Sequence, residues 1–190
     1  MRRMSNLPPR EFILAKAGEL FHLRGYGSVT IEEVITSTGL SRAAFHQHFS
    51  SKSKLGAAWL ERLAKRMSIM QQGFLDKPGD RDRRLRKFFY SMRSWLEANG
   101  FRSCQFANTA AGVSAEEEDV IYLIDQYKRA QHKFFVDVAK TLVDEKDAQR
   151  IGTSIFLLYA GAMTEGQNLK ATWPLDDALA ASELLCGVSR

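Results

Sequence analysis

Two short helices, each with its own capping signal and separated by a turn of about three residues, constrain the fold more than any other feature. Thr30 stands before the first helix and Glu33 follows three residues later, which is the spacing of a capping box. Gly39 then permits a left-handed turn, and Ser41 can cap the second helix, which we expect to reach about Phe49. This spacing predicts a helix-turn-helix motif.

The second of these helices has an unusual outward face. Phe45 and Phe49 lie four residues apart and share an inner face, so Ala43 and Gln47 fall roughly opposite them. Surface helices usually carry long charged side chains there, whereas alanine leaves the backbone open to close approach. Such a helix fits the ~12 Å major groove, where alanine can contact thymine methyls and glutamine can bond base edges. We therefore predict a helix that reads DNA.

The distribution of charge agrees with this prediction. The chain has 190 residues and a formal net charge of +5. Residues 1–66 contain 11 Lys and Arg against 5 Asp and Glu, whereas residues 67–190 contain 16 against 17. A basic excess confined to the first third indicates an anionic partner there, and both nucleic acid and an acidic membrane surface fit this excess.

Several other classes of protein are disfavoured. Cys104 and Cys186 form no C-x-x-C pair and have no suitably spaced histidine, so we expect no metal, no cofactor and a reducing, cytoplasmic location. The uncharged run Ile151–Thr164 is shorter than the ~20 residues of a membrane-spanning helix, and no signal peptide is expected. Asp125 and Glu165 have no nucleophile or metal site to work with, so no enzymatic activity is expected.

The rest of the chain also predicts helices, giving an all-α fold of about nine helices without strands. The expected later helices are Lys52–Gln72, one containing Leu85–Leu96, one from a Ser114 and Glu117 capping box to about Val143, Asp147–Leu169 and Leu175–Gly187. A turn over Asp76–Asp80 separates the first two of these. We expect a helix-turn-helix DNA-binding domain over residues 1–52, with a flexible arm over 1–9, and a ligand-binding and dimerisation domain over 53–190.

The motif residues also resemble a known family. Ala17, Leu20, Phe21, Gly25 and Tyr26, then T-I-x-x-V, then G-L-S-R-x-x-F-x-x-H-F-x-S-K are similar to the DNA-binding domain of TetR/AcrR bacterial transcriptional regulators over about Arg10–Leu55. A shorter stretch, Phe101–Gly112, resembles part of the ligand-binding domain in one branch of that family, with Ser103 in place of the usual glycine.

The resemblance implies a cytoplasmic, sequence-specific regulator, a ligand-responsive repressor that binds a palindromic operator as a dimer. Its partners would be double-stranded DNA, a second copy of the chain as a homodimer and an unidentified small-molecule effector. A ligand-insensitive architectural DNA-binding protein is the alternative. The residues implied in DNA binding are Thr30, Ser41, Arg42, Ala43, Ala44, His46, Gln47, His48 and Lys52. His46 stands where the family usually has a tyrosine that reaches a phosphate.

Two further sets of residues are expected in the larger domain. The helix Asp147–Leu169 is apolar over much of its circumference, so a second chain is expected to cover it. The expected dimer interface comprises Ile151, Ile155, Leu158, Ala162, Leu179 and Leu184. The expected ligand site, aromatic with a few polar groups, comprises Tyr90, Trp95, Cys104, Phe106, Asn108, Tyr122, Tyr127 and Tyr159. Between a sensing thiol and a buried packing residue, the sequence favours packing for Cys104.

Overall fold

The structure, a computed structural model, describes residues 7–76 and 81–188, and these residues form nine α-helices and no strand. The helices are α1 Pro9–Arg24, α2 Ile31–Thr38, α3 Arg42–His46, α4 Lys52–Leu75, α5 Arg81–Ala98, α6 Gln105–Ala110, α7 Glu118–Lys140, α8 Glu145–Leu169 and α9 Trp173–Leu185. The predicted all-α class is confirmed. Residues 1–6 of the expected arm, and all but Asp76 of the expected turn, lie outside the described residues.

Several predicted helix ends lie two or three residues from the observed ones, among them the end of α3 and the start of α7. The helix expected to reach about Phe49 ends at His46, because the carbonyl of Phe45 accepts from both His48 and Phe49 and the Ser51 hydroxyl then caps α4 by accepting from the amide of Lys54. α7 begins at Glu118 rather than directly after Ser114, because a turn fills the intervening residues.

The described residues divide between two compact units. The N-terminal unit takes in those of Met1–Lys65 and Gln105–Gln126, and the C-terminal unit those of Arg66–Cys104 and Tyr127–Arg190. α4 and α7 each continue from one unit into the other. The compact units do not coincide with the expected boundary at residue 52, since the N-terminal unit also holds half of α4 and all of α6.

Aromatic contacts hold the N-terminal unit together. The ring of Phe21, on α1, meets Tyr26 at a centroid distance of 5.0 Å and Trp59, on α4, at 5.3 Å. Phe45 and Phe49 are both buried, so α3 is anchored to the same interior. Apolar burial of this kind fixes the three N-terminal helices against the first half of α4.

The C-terminal unit has a core of aromatic rings contributed by α5, α7 and α8. Phe88 lies at its centre, with centroid distances of 5.0 Å to Phe134, 5.3 Å to Phe135 and 5.3 Å to Tyr159. α9 closes the core with Leu175 and other buried side chains. This core is therefore complete within one chain.

α8 approaches α7 at the level of the backbone. A Cβ atom placed on Gly152 would lie 2.4 Å from the Cα of Val136, closer than any real contact. At Gly161, nine residues further along the same helix, no described atom outside the local helix backbone lies within 4 Å of the Cβ position. A side chain at position 152 would therefore clash with α7, whereas one at position 161 would not.

Gly152→Ala should lower the free energy of unfolding by about 1–3 kcal/mol, because the added methyl forces α8 away from α7. Gly73→Ala, in α4, is the matched control, since no described atom outside its own helix lies within 4 Å of its Cβ position. It should leave stability unchanged or raise it by up to about 1 kcal/mol, because alanine favours the helix. Urea unfolding followed by circular dichroism measures both. Equal effects of the two substitutions would contradict the close approach.

Candidate nucleic-acid interface

The cap of α2 forms as predicted. The Thr30 hydroxyl accepts from the Glu33 amide at 3.3 Å, and the Glu33 carboxylate accepts from the Thr30 amide at 2.7 Å. The backbone N–H of Thr30, followed by the guanidinium of Arg24, lowers the pKa of Glu33 to about 2. The carboxylate thus stays ionised at neutral pH and fixes the start of α2.

The turn between α2 and α3 is set by Gly39, whose φ of 67° places it in the left-handed region. Ser41 follows in extended conformation, and its hydroxyl accepts from the amide of Ala44 at 3.2 Å. Both capping residues identified from the sequence therefore start their helices. They fix α3 in the N-terminal unit together with its buried phenylalanines.

The outward face of α3 is open. Phe45 is fully buried, whereas most residues around it are exposed, namely Ser41, Arg42, Ala43, His46, Gln47 and His48, with Ala44 half-buried. Gln47 lies just beyond the helix but keeps helical backbone angles, so its side chain continues the same spiral. The structure brings these seven of the nine predicted DNA-binding residues into one short segment of the surface.

Two polar side chains of this segment already have protein partners. The Arg42 guanidinium donates to the Glu32 carboxylate of α2 at 2.7 Å. Nδ1 of His46 lies 3.2 Å from the carbonyl oxygen of Phe49, and because a carbonyl only accepts, Nδ1 carries the hydrogen.

Lys52 and Thr30 complete the predicted set. Thr30 is exposed at the start of α2. Lys52, the first residue of α4, is half-buried, and its ammonium lies 4.4 Å from the ring centroid of Tyr26. Burial lowers the pKa of Lys52, while the charges of Glu117 and Glu33 act in the opposite direction. The ammonium is therefore held in a defined place on an aromatic face.

The residues of the expected ligand site are divided between the two units. Phe106, Asn108 and Tyr122 belong to the N-terminal unit, where Tyr122 is exposed. The C-terminal unit holds the others, which are Tyr90, exposed, Trp95 and Cys104, half-buried, and Tyr127 and Tyr159, buried.

Tyr127 is the centre of a small polar cluster in the C-terminal unit. Its hydroxyl accepts from the Gln131 amide nitrogen at 3.1 Å, and the Lys128 ammonium lies 3.9 Å from the Cys104 sulfur. Burial, then the charges of Cys104 and Tyr159, raise the pKa of Tyr127, so its hydroxyl stays protonated. Gln131 is buried, and its side-chain oxygen has no hydrogen-bond partner among the described residues.

Most residues of the expected dimer interface lie inside the protomer. Four of them, Ile151, Ile155, Ala162 and Leu179, are buried in its own core, whereas Leu158 is half-buried and Leu184 is 81% exposed. Other large apolar side chains of α8 and α9 are exposed, namely Leu157, Leu169, Trp173 and Leu185. The surface available to a second copy therefore differs from the expected one at four of six positions.

Within residues 7–76 and 81–188, no three His, Cys, Asp or Glu side chains gather as metal ligands would. No helix of those ranges combines the length and apolarity that a membrane crossing requires. Cys186 is buried, and burial raises the pKa of its thiol to about 11, so this thiol stays protonated at neutral pH.

Several polar contacts at these sites were not predicted from the sequence. Glu32 bonds Arg42, Glu117 bonds Tyr26, and Gln131 bonds Tyr127. The last pair is four residues apart on one helix, and that spacing could have revealed it. The Tyr26 and Glu117 pair is separated by 91 residues and has no local signal.

Comparisons with known proteins agree with this geometry. The profile described as "Bacterial regulatory proteins, tetR family" matches residues 13–58, which include α2, α3 and the start of α4. The repressor DhaR of Mycobacterium sp. (strain GP1), described as HTH-type, is 21% identical and aligns over 93% of this chain and 91% of its own. The HTH-type transcriptional activator FasR of Mycolicibacterium smegmatis is 31% identical, over 53% of this chain and 48% of its own.

Among solved structures, SCO4454 from Streptomyces coelicolor, a TetR-family transcriptional regulator, superposes with a TM-score of 0.85 at 22% identity, covering 96% of this chain and 90% of its own. The fold is thus shared over nearly the full length, and the profile match falls on the helix-turn-helix. Residues 13–58 thus match the TetR family of bacterial regulatory proteins, and over nearly its full length the chain has the fold of a TetR-family transcriptional regulator.

Proposed function

We propose that the protein is a ligand-responsive repressor that binds a palindromic operator as a homodimer in the cytoplasm. The observation that carries the proposal is the exposed face of α3, where alanines and polar side chains surround a buried phenylalanine. Arg42, Ala43, Ala44 and Gln47 approach base edges in the major groove. Phosphates are bound or positioned by Thr30, Ser41, His46, His48 and Lys52.

Exposed apolar side chains support the homodimer. Leu157 of α8 and Leu184 of α9 are 61% and 81% exposed, and Gly161 lies one turn beyond Leu157 with open space around it. Burying such a surface against a second copy removes it from water. A twofold dimer would also carry two α3 helices to successive major grooves of a palindrome, about 34–36 Å apart.

The polar cluster of the C-terminal unit supports a small-molecule effector. Buried polar atoms are nearly always paired, yet the side-chain oxygen of Gln131 is not. The neighbouring Tyr127 and Tyr159 offer aromatic surface. We infer an effector that is largely apolar and donates a hydrogen bond to Gln131, with release of DNA as the response. One relative is named as a repressor and another as an activator, and the full-length match to the repressor favours repression.

Gln47→Ala and Lys52→Met should impair DNA binding in different ways. A binding site is first enriched from a pool of random duplexes, and affinity is then measured by gel shift at several salt concentrations. Gln47→Ala should lose about 1–3 kcal/mol of discrimination at the base it contacts. Lys52→Met should weaken binding to all duplexes and reduce the slope of log affinity against log salt by about 1.

Gln149→Ala and Lys146→Met, exposed positions of α8, are the matched controls and should behave as the wild type. Equal wild-type affinity for every duplex would support the architectural alternative. Absence of binding at low salt would contradict a DNA-binding role altogether.

Leu157→Glu combined with Leu184→Glu should convert the homodimer into a folded monomer, because two buried charges would oppose association. Sedimentation equilibrium measures the mass. Leu23→Glu is the control, since Leu23 is an exposed leucine of α1 and should leave the dimer intact. A dimer that survives the double substitution would show that another surface mediates the pairing.

Gln131→Leu should abolish the response to the effector, because it removes the unpaired side-chain oxygen and leaves an apolar group of similar size. Small molecules that raise the melting temperature are screened, and those that release the wild type from DNA are retested on the variant. Gln149→Leu, an exposed position, is the control. A releasing compound that acts equally on Gln131→Leu would contradict this site.

A further inference from the structure

We propose that Glu117, at the start of α7, is a positioning residue for DNA binding: through its hydrogen bond to Tyr26 it fixes the place of the Lys52 ammonium. The inference rests on the proposed phosphate contact of Lys52. It goes further, because Glu117 lies outside the helix-turn-helix and 65 residues beyond Lys52 in the sequence.

Tyr26 is the link between these residues. Its ring is buried, and its hydroxyl donates to Oε1 of Glu117. Burial, followed by the hydrogen bond and the charge of Glu117, raises the pKa of the hydroxyl, so it remains a donor at neutral pH. A hydrogen bond from a buried hydroxyl to a carboxylate is among the stronger ones in proteins. The ring therefore has one defined orientation.

Glu117 is itself fixed in place. Its second carboxylate oxygen accepts from the amide of Ser114 at 3.1 Å, and its carbonyl accepts from the amides of Val120 and Ile121 in the first turn of α7. The adjoining loop lies against the α1–α2 loop, where a Cβ on Gly27 would be 2.6 Å from the carbonyl oxygen of Gly112. The acceptor for Tyr26 thus comes from a segment packed directly on the α1–α2 loop, which contains Tyr26 itself.

The other side of the Tyr26 ring lies on α4. The Lys52 ammonium sits 4.4 Å from its centroid, and a Cβ on Gly56, one turn later, would be 2.5 Å from its Cε2 atom. Glycine at position 56 lets the ring reach the helix backbone. Nearby, Lys54 pairs with Asp119 at 2.6 Å, so the start of α7 contacts the first turn of α4 at a second point.

Two mechanisms are possible for Glu117, and they predict different effects of the same substitutions on DNA binding. In the positioning mechanism the hydrogen bond matters, because without it the ring can turn and the ammonium loses its support. In a purely electrostatic mechanism the charge of Glu117 would compete with phosphate for Lys52, and its removal would strengthen DNA binding. Tyr26→Phe removes the hydrogen bond but keeps the charge, whereas Glu117→Gln removes the charge but keeps an acceptor.

The experiment measures gel-shift affinity of the full chain for the enriched site and for an unrelated duplex. Tyr26→Phe should weaken binding to both about three- to tenfold, as expected for the loss of one such hydrogen bond. In a Lys52→Met background the same substitution should change affinity less than about twofold, because there is no ammonium left to position. Glu117→Ala should reproduce Tyr26→Phe, and Glu117→Gln should remain within about twofold of the wild type.

Glu61→Gln, which removes an exposed carboxylate of the same unit, is the control and should have no effect. Circular dichroism establishes that each variant is folded. If Tyr26→Phe lowers DNA affinity equally in the wild-type and Lys52→Met backgrounds, the role of the hydrogen bond is merely structural. If Glu117→Gln binds DNA more strongly than the wild type, the role of Glu117 is electrostatic. Either result overturns the inference. If Tyr26→Phe binds DNA with wild-type affinity while Lys52→Met binds more weakly, only this inference is overturned. If Lys52→Met also binds with wild-type affinity, the proposed phosphate contact of Lys52 is overturned as well.

Discussion

Burial of Phe45 and Phe49 is the constraint on which the candidate interface depends. α3 has five residues, and an isolated helix of that length does not form in water. Its backbone is held by the Ser41 cap and by the two rings, which are almost completely buried. Because the inner side supplies the stability, the outer side needs no long side chains to sustain the helix. Alanine at position 43 is therefore compatible with folding, and it leaves room for a groove of DNA.

The parts that sequence reasoning predicted are those fixed by neighbours in the chain. The Thr30 and Glu33 box, the turn at Gly39 and the cap at Ser41 involve residues two or three positions apart, so residue type and spacing suffice. Helical periodicity likewise gave the element types and the buried face of α3. Helix ends were less accurate, since the end of α3 depends on where the cap of α4 begins.

The parts that could not be predicted depend on contacts between distant segments. An apolar stripe shows that a helix is covered but not which chain covers it, and this is why Ile151 and Ile155 were expected at a dimer interface although their own protomer buries them. Leu184 belongs to the same predicted set but is exposed, and this difference from Ile151 and Ile155 becomes visible only in the folded structure. The hydrogen bond between Tyr26 and Glu117 could not be predicted for the same reason, because no pattern within either segment specifies the other.

The helices that make up the N-terminal unit bear on how a regulator of this kind could respond to a ligand. This unit contains α6 and the start of α7, and α7 continues into the C-terminal unit, where it carries Tyr127 and Gln131 of the candidate effector cluster. Allosteric coupling typically amounts to about 1–3 kcal/mol. One buried hydrogen bond contributes about 1 kcal/mol. A change in α7 that weakened the bond from Tyr26 to Glu117 would thus supply much of the required free energy, and it would act at Lys52 without any rearrangement of α3.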